Sequence, residues 1–137
     1  MQWILVLALA LDLAAVKSEP NPEKRSERAL DNANLALDAA RDAYNQGDIE
    51  KTQAGLDEIS ESVDLCYQSL SSTGKDPRRD PKFFKRAELR TRELLRRLEG
   101  LRDAMSVADR AAVEKVRDDV SEIHDNLLKG IMSKKKK

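Results

Sequence analysis

Apolar residues recur at alternating intervals of three and four positions along most of the chain after residue 17, the spacing of amphipathic helices. The first such stretch begins with Asn21, an N-cap residue, followed by Pro22 at the first helical position. It ends at Gly47, a typical C-terminal cap, and Asp48 can cap the stretch that follows. The pattern therefore predicts helices over residues 22–46 and 48–72.

The second half of the chain repeats this organisation. Asp80 and Pro81 repeat the Asn–Pro start and predict a capped third helix. Ser106 and Asp109 have the spacing of a capping box, with Asp in place of the usual Glu, and Gly130 is predicted to close the last helix. Two further helices are therefore predicted over residues 81–105 and 107–130.

Each predicted helix carries one apolar seam, and the seams indicate how the helices pack. The helices are about 24 residues and roughly 36 Å long. Very short first and third connections predict two antiparallel hairpins. A seam of this width buries little by itself, so the hairpins must pack on each other or on a partner. The predicted seam residues are Leu30, Ala33, Leu37, Ala40, Tyr44, Ile49, Thr52, Leu56, Ile59, Val63, Cys66, Leu70, Phe84, Ala87, Thr91, Leu94, Leu98, Leu101, Met105, Val113, Val116, Val120, Ile123 and Leu127.

We expect an all-α fold in which the four helices form an up-down-up-down bundle of two hairpins. Two alternatives stay open: hairpins stacked side by side as in helical-repeat proteins, and an extended coiled-coil dimer. Gly55 and Gly100 fall inside predicted helices, where each is expected to cost about 1 kcal/mol relative to Ala.

The N-terminal residues 3–16 form an apolar run interrupted only by Asp12. The run is too short to span a bilayer, which needs about 20 apolar residues, but it suits the apolar region of a secretory signal peptide. An amphipathic or buried first helix is the alternative, although residues 3–11 offer no polar face. We therefore expect a signal peptide over residues 1–16 with its cleavage site left open, a helical domain over residues 17–132, a basic tail over residues 133–137, and a periplasmic or secreted protein.

Composition narrows the fold classes further. Only 4% of residues are aromatic and five are Gly, which argues against a β-sandwich or barrel rich in turns. The single Cys excludes a disulfide-stapled fold and a zinc-ribbon site.

The net charge of zero is a cancellation between two halves of the chain. Residues 17–74 hold 6 basic and 12 acidic side chains, whereas residues 75–137 hold 19 basic and 12 acidic ones. One interpretation places the acidic hairpin beside the basic one, so that the charges select which hairpin faces which. Within the third helix, Glu88–Arg92 and Glu93–Arg97 are also spaced as i,i+4 pairs.

The other interpretation of the charge is an anionic partner for the third helix and the tail Lys134–Lys137. Membrane headgroups, cell-wall polymer and nucleic acid all attract such clusters. If the protein is exported, an envelope component is favoured over nucleic acid as its partner. Phe83 and Phe84 beside lysines would suit an interfacial anchor, unless Phe84 belongs to the core. The predicted contact residues are Arg78, Arg79, Lys82, Lys85, Arg86, Arg90, Arg92, Arg96 and Arg97.

Catalytic or metal chemistry would have to involve His124 and Cys66, the only His and the only Cys. Cys66 falls on a seam and is expected to be a small buried hydrophobe. His124 falls at a seam edge, where Ser121 or Asp125 could hold it, and Ser121 occupies the position at which a di-iron bundle needs Glu. We therefore expect no catalytic residue, metal or cofactor, with an enzyme or metal carrier built on these two residues as the alternative.

Three acidic residues on the first predicted helix are a second candidate set of metal ligands. Asp31, Asp38 and Asp42 share one side of that helix and could form a loose divalent site. Such a row is more often a solvated face, and a solvated face is our expectation.

Two stretches resemble known families. Residues 30–70, with Tyr44 and the Gly47–Asp48 turn before a second helix, resemble a tetratricopeptide helix pair. Residues 82–98, 105–110 and 120–132 resemble a block, here over residues 80–132, found in small exported bacterial proteins of uncharacterised function. That resemblance implies helices and export, and it supplies no activity.

We expect a non-catalytic exported helical module of the cell envelope, with a binding or structural role and a basic third helix and tail as its contact surface. Its partner would be a protein or an anionic envelope component, with peripheral membrane contact and a homodimer among the options. The alternative is an intracellular basic-helix protein that binds nucleic acid or an anionic membrane, in which the first segment is not a signal.

Overall fold

The computed structural model describes residues 13–133, and within that range the chain forms four long helices and no strand. A short 3-10 turn, Val107–Asp109, precedes the last helix. The all-α fold of two antiparallel hairpins is confirmed. The helices are α1 (Pro22–Asn45), α2 (Ile49–Ser71), α3 (Lys82–Ala104) and α4 (Arg110–Met132).

The two hairpins lie side by side. Helix α1 packs along α2 and beside α3, while α2 also packs beside α4, and α1 and α4 do not meet. Arg86 pairs with Glu27 and Arg90 with Asp31, each 59 positions apart, so α1 and α3 run in the same direction. The helices thus alternate up and down along the chain as predicted, and like-directed helices are neighbours, as in the side-by-side alternative.

The predicted seams form the core, with two exceptions. Every predicted seam residue is buried except Tyr44, which is half-buried, and Ile49, which is 57% exposed. Ile49 is the first residue of α2 and lies at the end of the bundle, where no neighbouring helix covers it. Tyr44 is the second-last residue of α1 and directs its hydroxyl to the turn between α3 and α4.

Gly55 marks a close approach of α1 and α2. A Cβ atom at Gly55 would lie 3.0 Å from the Cβ of Ala40 and 3.1 Å from the carbonyl oxygen of Ala36. The expectation that Gly55 only weakens its helix is therefore wrong, because the missing side chain lets the two backbones pack together. Gly100 has no neighbour of that kind; its nearest side-chain atom would be 3.9 Å away.

The first two helices begin at the predicted caps. The Asn21 side chain accepts the backbone N–H groups of Glu23 and Lys24 at 3.0 and 3.1 Å, and Pro22 is the first helical residue. The Asp48 carboxylate accepts the backbone N–H of Lys51 at 3.1 Å. These contacts satisfy N–H groups that have no partner inside the helix.

The predicted cap of α3 is wrong. Helix α3 begins at Lys82, Pro81 occupies the N-cap position, and no side chain caps the helix. Asp80 belongs to the preceding turn, where its backbone N–H donates to the carbonyl oxygen of Asp76 at 2.9 Å. Asp80 thus closes the turn that begins at Asp76, and the helix starts one residue later than predicted.

The predicted capping box of α4 is also wrong. The N–H of Ser106, which Asp109 would accept in a capping box, donates instead to the Tyr44 hydroxyl at 2.9 Å. The carboxylate of Asp109 accepts the hydroxyls of Tyr44 and Ser106 at 2.9 and 2.8 Å. Helix α4 then starts at Arg110 and continues past Gly130 to Met132, two residues beyond the predicted end.

The predicted leader and tail fall mostly outside the described residues. These omit residues 1–12 and the tail Lys134–Lys137, so export and the role of the tail stay predictions. Residues 13–17 are helical, and Leu13 and Val16 are buried, Val16 within the core cluster. Loss of a leader ending at residue 16 would therefore remove both from the folded chain. None of the helices within residues 13–133 has the length and apolarity needed to cross a membrane.

Candidate interaction surface

Helix α3 distributes its charged side chains over three faces. At 100° per residue, the side chains of Arg86, Arg90 and Arg97 point toward α1. Glu88 points toward α4, and Lys82 points away from the bundle. The predicted contact residues therefore do not form one surface.

The face toward α1 forms what we term the arginine ladder: Arg86, Arg90 and Arg97. Arg86 donates to the Glu27 carboxylate at 2.8 Å. Arg90 donates to the Asp31 carboxylate at 2.6 Å and to the backbone oxygen of Glu27 at 3.2 Å.

The third rung of the ladder reaches two side chains of α1. Arg97 donates to the Asn34 side-chain oxygen at 2.7 Å and also to the Asp38 carboxylate. All three rungs join residues 59 positions apart, so the ladder aligns the two hairpins along their length. The acidic hairpin does cover part of the basic helix.

The acidic row on α1 takes part in this ladder. Asp31 and Asp38 keep side-chain exposures of 65% and 57%, as expected of a solvated face, and each pairs with an arginine of α3. Asp42 is exposed. Within residues 13–133 there is no group of three or more His, Cys, Asp or Glu side chains placed to hold a metal ion.

The face toward α4 contains a polar cluster centred on Glu88, whose side chain is only 7% exposed. One carboxylate oxygen of Glu88 lies 2.7 Å from His124 Nε2 and accepts Arg92 Nη2 at 2.6 Å. The other ring nitrogen of His124 lies 3.2 Å from the Asp125 carboxylate. Asp125, rather than Ser121, is thus the local partner of His124, and the predicted Glu88–Arg92 pair is confirmed.

The contact between Glu88 and His124 was not predicted. Each residue directly follows a seam residue, Ala87 and Ile123 respectively. Two polar residues at seam edges of adjacent antiparallel helices are the signal that could have revealed the pair. The predicted Glu93–Arg97 pair is not among the ion pairs of residues 13–133, because Arg97 turns to α1 instead.

Opposing effects act on the Glu88 carboxyl. Burial raises its pKa, while the hydrogen bonds from His124 and Arg92 and the Arg92 charge lower it, and the net pKa of Glu88 is lowered. The charged form of Glu88 is therefore stabilised in the folded chain.

The face away from the bundle forms what we term the outer stripe: Lys82, Lys85, Leu89 and Arg96. Its three cations are exposed, and Leu89 is 55% exposed. Within residues 13–133 no ion pair engages these cations, which distinguishes them from the arginine ladder. Phe83 packs against the core beside the stripe, with Lys82 Nζ 5.3 Å from its ring centroid.

The nine predicted contact residues thus divide into engaged and free groups. Arg78 pairs with Asp76 at 3.2 Å, Arg92 pairs with Glu88, and three others form the arginine ladder. Arg79 is exposed and, like the cations of the outer stripe, has no ion pair within the described range. Phe84 is a core residue with 6% exposure.

Cys66 and His124 are engaged separately. Cys66 is fully buried, as predicted, and burial raises the pKa of its thiol to about 12 despite the Arg90 charge, which lowers it. A thiol with that pKa is not a thiolate at neutral pH. Both ring nitrogens of His124 lie against carboxylates, so the structure does not bring these residues together as a Cys–His pair.

Comparison of the chain with protein-family models, with curated proteins and with solved structures finds no match. The two resemblances therefore stay predictions.

Proposed function

We propose that this chain is a non-catalytic helical binding module of the bacterial cell envelope, exported by its N-terminal apolar segment. Its contact surface is the outer stripe of α3, which takes an anionic partner. The observation that carries the proposal is the difference between two faces of one helix. The ladder arginines have carboxylate partners on α1, whereas Lys82, Lys85 and Arg96 are exposed and have none within the described residues.

The stripe cations suit an anionic partner because they form no ion pair within the described residues before binding. A cation without an ion-pair partner can bind an external phosphate or carboxylate and break no internal contact. Near an anionic surface each such residue contributes about 1 kcal/mol. Leu89, between the cations, adds an apolar contact of the kind that interfacial helices use.

The surroundings of Cys66 and His124 support a role other than catalysis. A nucleophilic Cys needs an accessible thiolate and a neighbouring base, and Cys66 is buried with a raised pKa. His124 joins α4 to α3 through Glu88, which is a structural task.

The export half of the proposal rests on residues 3–16 and has its own test. Cell fractionation followed by N-terminal sequencing should find the chain in the periplasm or medium with a shortened N-terminus. Recovery from the cytoplasm with residues 1–16 intact would overturn the envelope location and leave the contact surface to be judged separately.

The contact surface is tested by co-sedimentation with vesicles of phosphatidylcholine, with and without phosphatidylglycerol. The stripe variant K82Q/K85Q/R96Q should lose binding to the anionic vesicles on the order of 100-fold at low salt, since three contributions of about 1 kcal/mol disappear. Its unfolding midpoint in urea should stay near that of the wild type.

The matched control removes the same number of charges from the arginine ladder. R86Q/R90Q/R97Q should bind anionic vesicles nearly as well as the wild type and unfold at lower urea, because it breaks contacts with α1. Equal loss of binding in both variants would mean that vesicle binding depends only on the net charge of the chain, which would refute the proposed contact surface. Unchanged binding in the stripe variant would refute it as well.

A further inference from the structure

An elongated depression lies between α2 and α4, on the edge of the molecule away from the α1–α3 edge. It consists of two hollows of about 410 and 520 Å³ that share Ser60, Glu61 and Asp119 and therefore form one groove. On α2 the groove extends from Gln53 to Tyr67, about 21 Å along the helix.

Carboxylates border this groove on both sides. We term this surface the acidic groove. It is bordered by Asp57, Glu61, Asp64, Asp119 and Glu122. All five are exposed, and Lys115 is the one basic residue among those lining the two hollows. Beneath the carboxylates lie Val63, Val116, Val120 and Ile123, which are buried in the core.

These carboxylates are not neutralised by the part of the chain that the structure describes. Asp57 accepts a hydrogen bond from Gln53 at 2.9 Å and Asp119 one from Ser60 at 3.2 Å, and both donors are uncharged. None of the five forms an ion pair within residues 13–133. A groove lined by one sign of charge attracts an occupant of the opposite sign.

We propose that the acidic groove docks the outer stripe of a second copy of this chain. The inference rests on the proposed function, because it assigns an occupant to the same stripe. Lys82 to Arg96 extend about 21 Å along α3, the same length as the groove. In that docking the lysines and Arg96 meet the carboxylates, and Leu89 lies over the groove floor between the partly buried Tyr67 and Ala112.

The position of the two surfaces fixes the kind of assembly. The stripe lies on α3 and the groove between α2 and α4, so each copy uses a different surface on its neighbour. Such a contact is heterologous and grows into a ring or an open chain. Because the charges are exposed, the association is weak and salt-sensitive, with a screening length of about 8 Å at physiological ionic strength.

The test is sedimentation velocity of the purified full chain at low and high salt. The wild type should sediment faster as its concentration rises at low salt and return to a monomer in high salt. Association through the apolar residues 3–16 would persist or strengthen in salt, and that result would count against the groove.

Two variants that each lack one partner surface give the decisive comparison. The groove variant D64N/D119N/E122Q keeps a native stripe, and the stripe variant K82Q/K85Q/R96Q keeps a native groove. Each alone should remain monomeric, and an equimolar mixture should form one-to-one dimers and nothing larger. Circular dichroism and urea midpoints near those of the wild type establish that both are folded.

Other outcomes separate this inference from the proposed function. A wild type that stays monomeric at low salt overturns the docking, as does a mixture with no dimer. If the stripe is then still needed for binding to anionic vesicles, the proposed contact surface stands without the second copy. If the stripe variant binds vesicles as the wild type does and the mixture forms no dimer, both proposals fall.

Discussion

The two edges at which the hairpins meet share the same residue offset and differ in their electrostatics. On both edges like-directed helices are joined by contacts between residues 59 positions apart: Arg90 with Asp31 on the α1–α3 edge and Ser60 with Asp119 on the α2–α4 edge. On the first edge, guanidinium groups meet carboxylates. On the second, carboxylates lie on both helices and the bordering contact is a hydrogen bond from a neutral serine.

The difference separates two tasks of charge in one small bundle. Complementary charges on the α1–α3 edge favour this arrangement of the hairpins over shifted or reversed ones. The α2–α4 edge is held by its buried seam, including Val63 and Val120, and its carboxylates form no ion pair within residues 13–133. Behind the net charge of zero, the α1–α3 edge is neutralised by its own ion pairs, whereas the α2–α4 edge keeps an excess of carboxylates.

The largest effect is expected at Gly55, because the backbones of α1 and α2 leave no room for a side chain there. Gly55→Ala should lower the free energy of unfolding by about 1–3 kcal/mol, since the new methyl group must push Ala40 and the Ala36 carbonyl away. Urea denaturation measures the change. Gly100→Ala, the same substitution where the nearest side-chain atom is 3.9 Å away, should raise stability by about 0.5–1 kcal/mol. Equal effects at the two sites would contradict the close approach.

Charge reversal of the arginine ladder is the direct way to break the α1–α3 edge. R86E/R90E/R97E should lower the free energy of unfolding by roughly 1–3 kcal/mol at low salt, because three exposed attractive pairs become repulsive ones. High salt should reduce the loss. The control K82E/K85E/R96E, on the outer face of the same helix, should change stability little. A loss as large in this control would show that the ladder has no special role.

The polar cluster of Glu88 differs from both edges, because it joins α3 to α4 inside one hairpin. The lowered pKa of Glu88 means that its stabilisation is present above the ordinary value near 4.5 and is lost as pH falls through the lower folded value. Glu88→Gln should lower stability at neutral pH by about 1–2 kcal/mol and flatten this loss in acid. Urea unfolding over a series of acidic pH values measures it. The exposed Glu93→Gln on the same helix should keep the wild-type profile, and an unflattened profile in the Glu88 variant would refute this account.

Tyr44 tests the end of the α1–α3 edge. Its hydroxyl accepts the N–H of Ser106 and donates to Asp109, joining α1 to the turn of the second hairpin. Tyr44→Phe should lower the thermal unfolding midpoint through a loss of about 0.5–1.5 kcal/mol. Tyr67, the other tyrosine, lines the acidic groove, and Tyr67→Phe should be neutral. Equal effects would mean that the hydroxyl of Tyr44 is not what matters.

The smallest effect is expected from neutralising the acidic groove. D64N/D119N/E122Q should leave the free energy of unfolding unchanged or raise it by a few tenths of a kcal/mol, because like charges on neighbouring helices are removed. Urea denaturation at low salt detects the sign. A clear loss would mean that these carboxylates stabilise the fold after all.

Local patterns predicted the parts of the fold that depend on neighbours in sequence. The 3/4 spacing identified the buried faces, and Asn21 and Asp48 cap their helices because a cap is made within one turn. The capping box at Ser106 failed because the hydroxyl of Tyr44, 62 positions earlier, accepts the N–H that the box requires. A tertiary contact of that kind leaves no local signal.

The sequence predicted the basic third helix as the contact region, and the fold showed which of its cations are already paired. The split of acidic and basic halves indicated that the hairpins complement each other. Helical periodicity places Arg90 and Arg97 on one side of α3 and Arg96 on another. Which of these sides faces α1, and so is paired with carboxylates, depends on how the whole hairpins pack, and the sequence pattern could not show it.

Ion pairs stabilise the α1–α3 edge, whereas the carboxylates of the acidic groove form none within residues 13–133. The free energy of unfolding of R86Q/R90Q/R97Q and D64N/D119N/E122Q, measured side by side in urea at low and high salt, tests this difference. The ladder variant should lose stability at low salt and lose less in high salt, and the groove variant should lose none at either. Equal losses in the two variants, or no loss in the ladder variant at low salt, would contradict it.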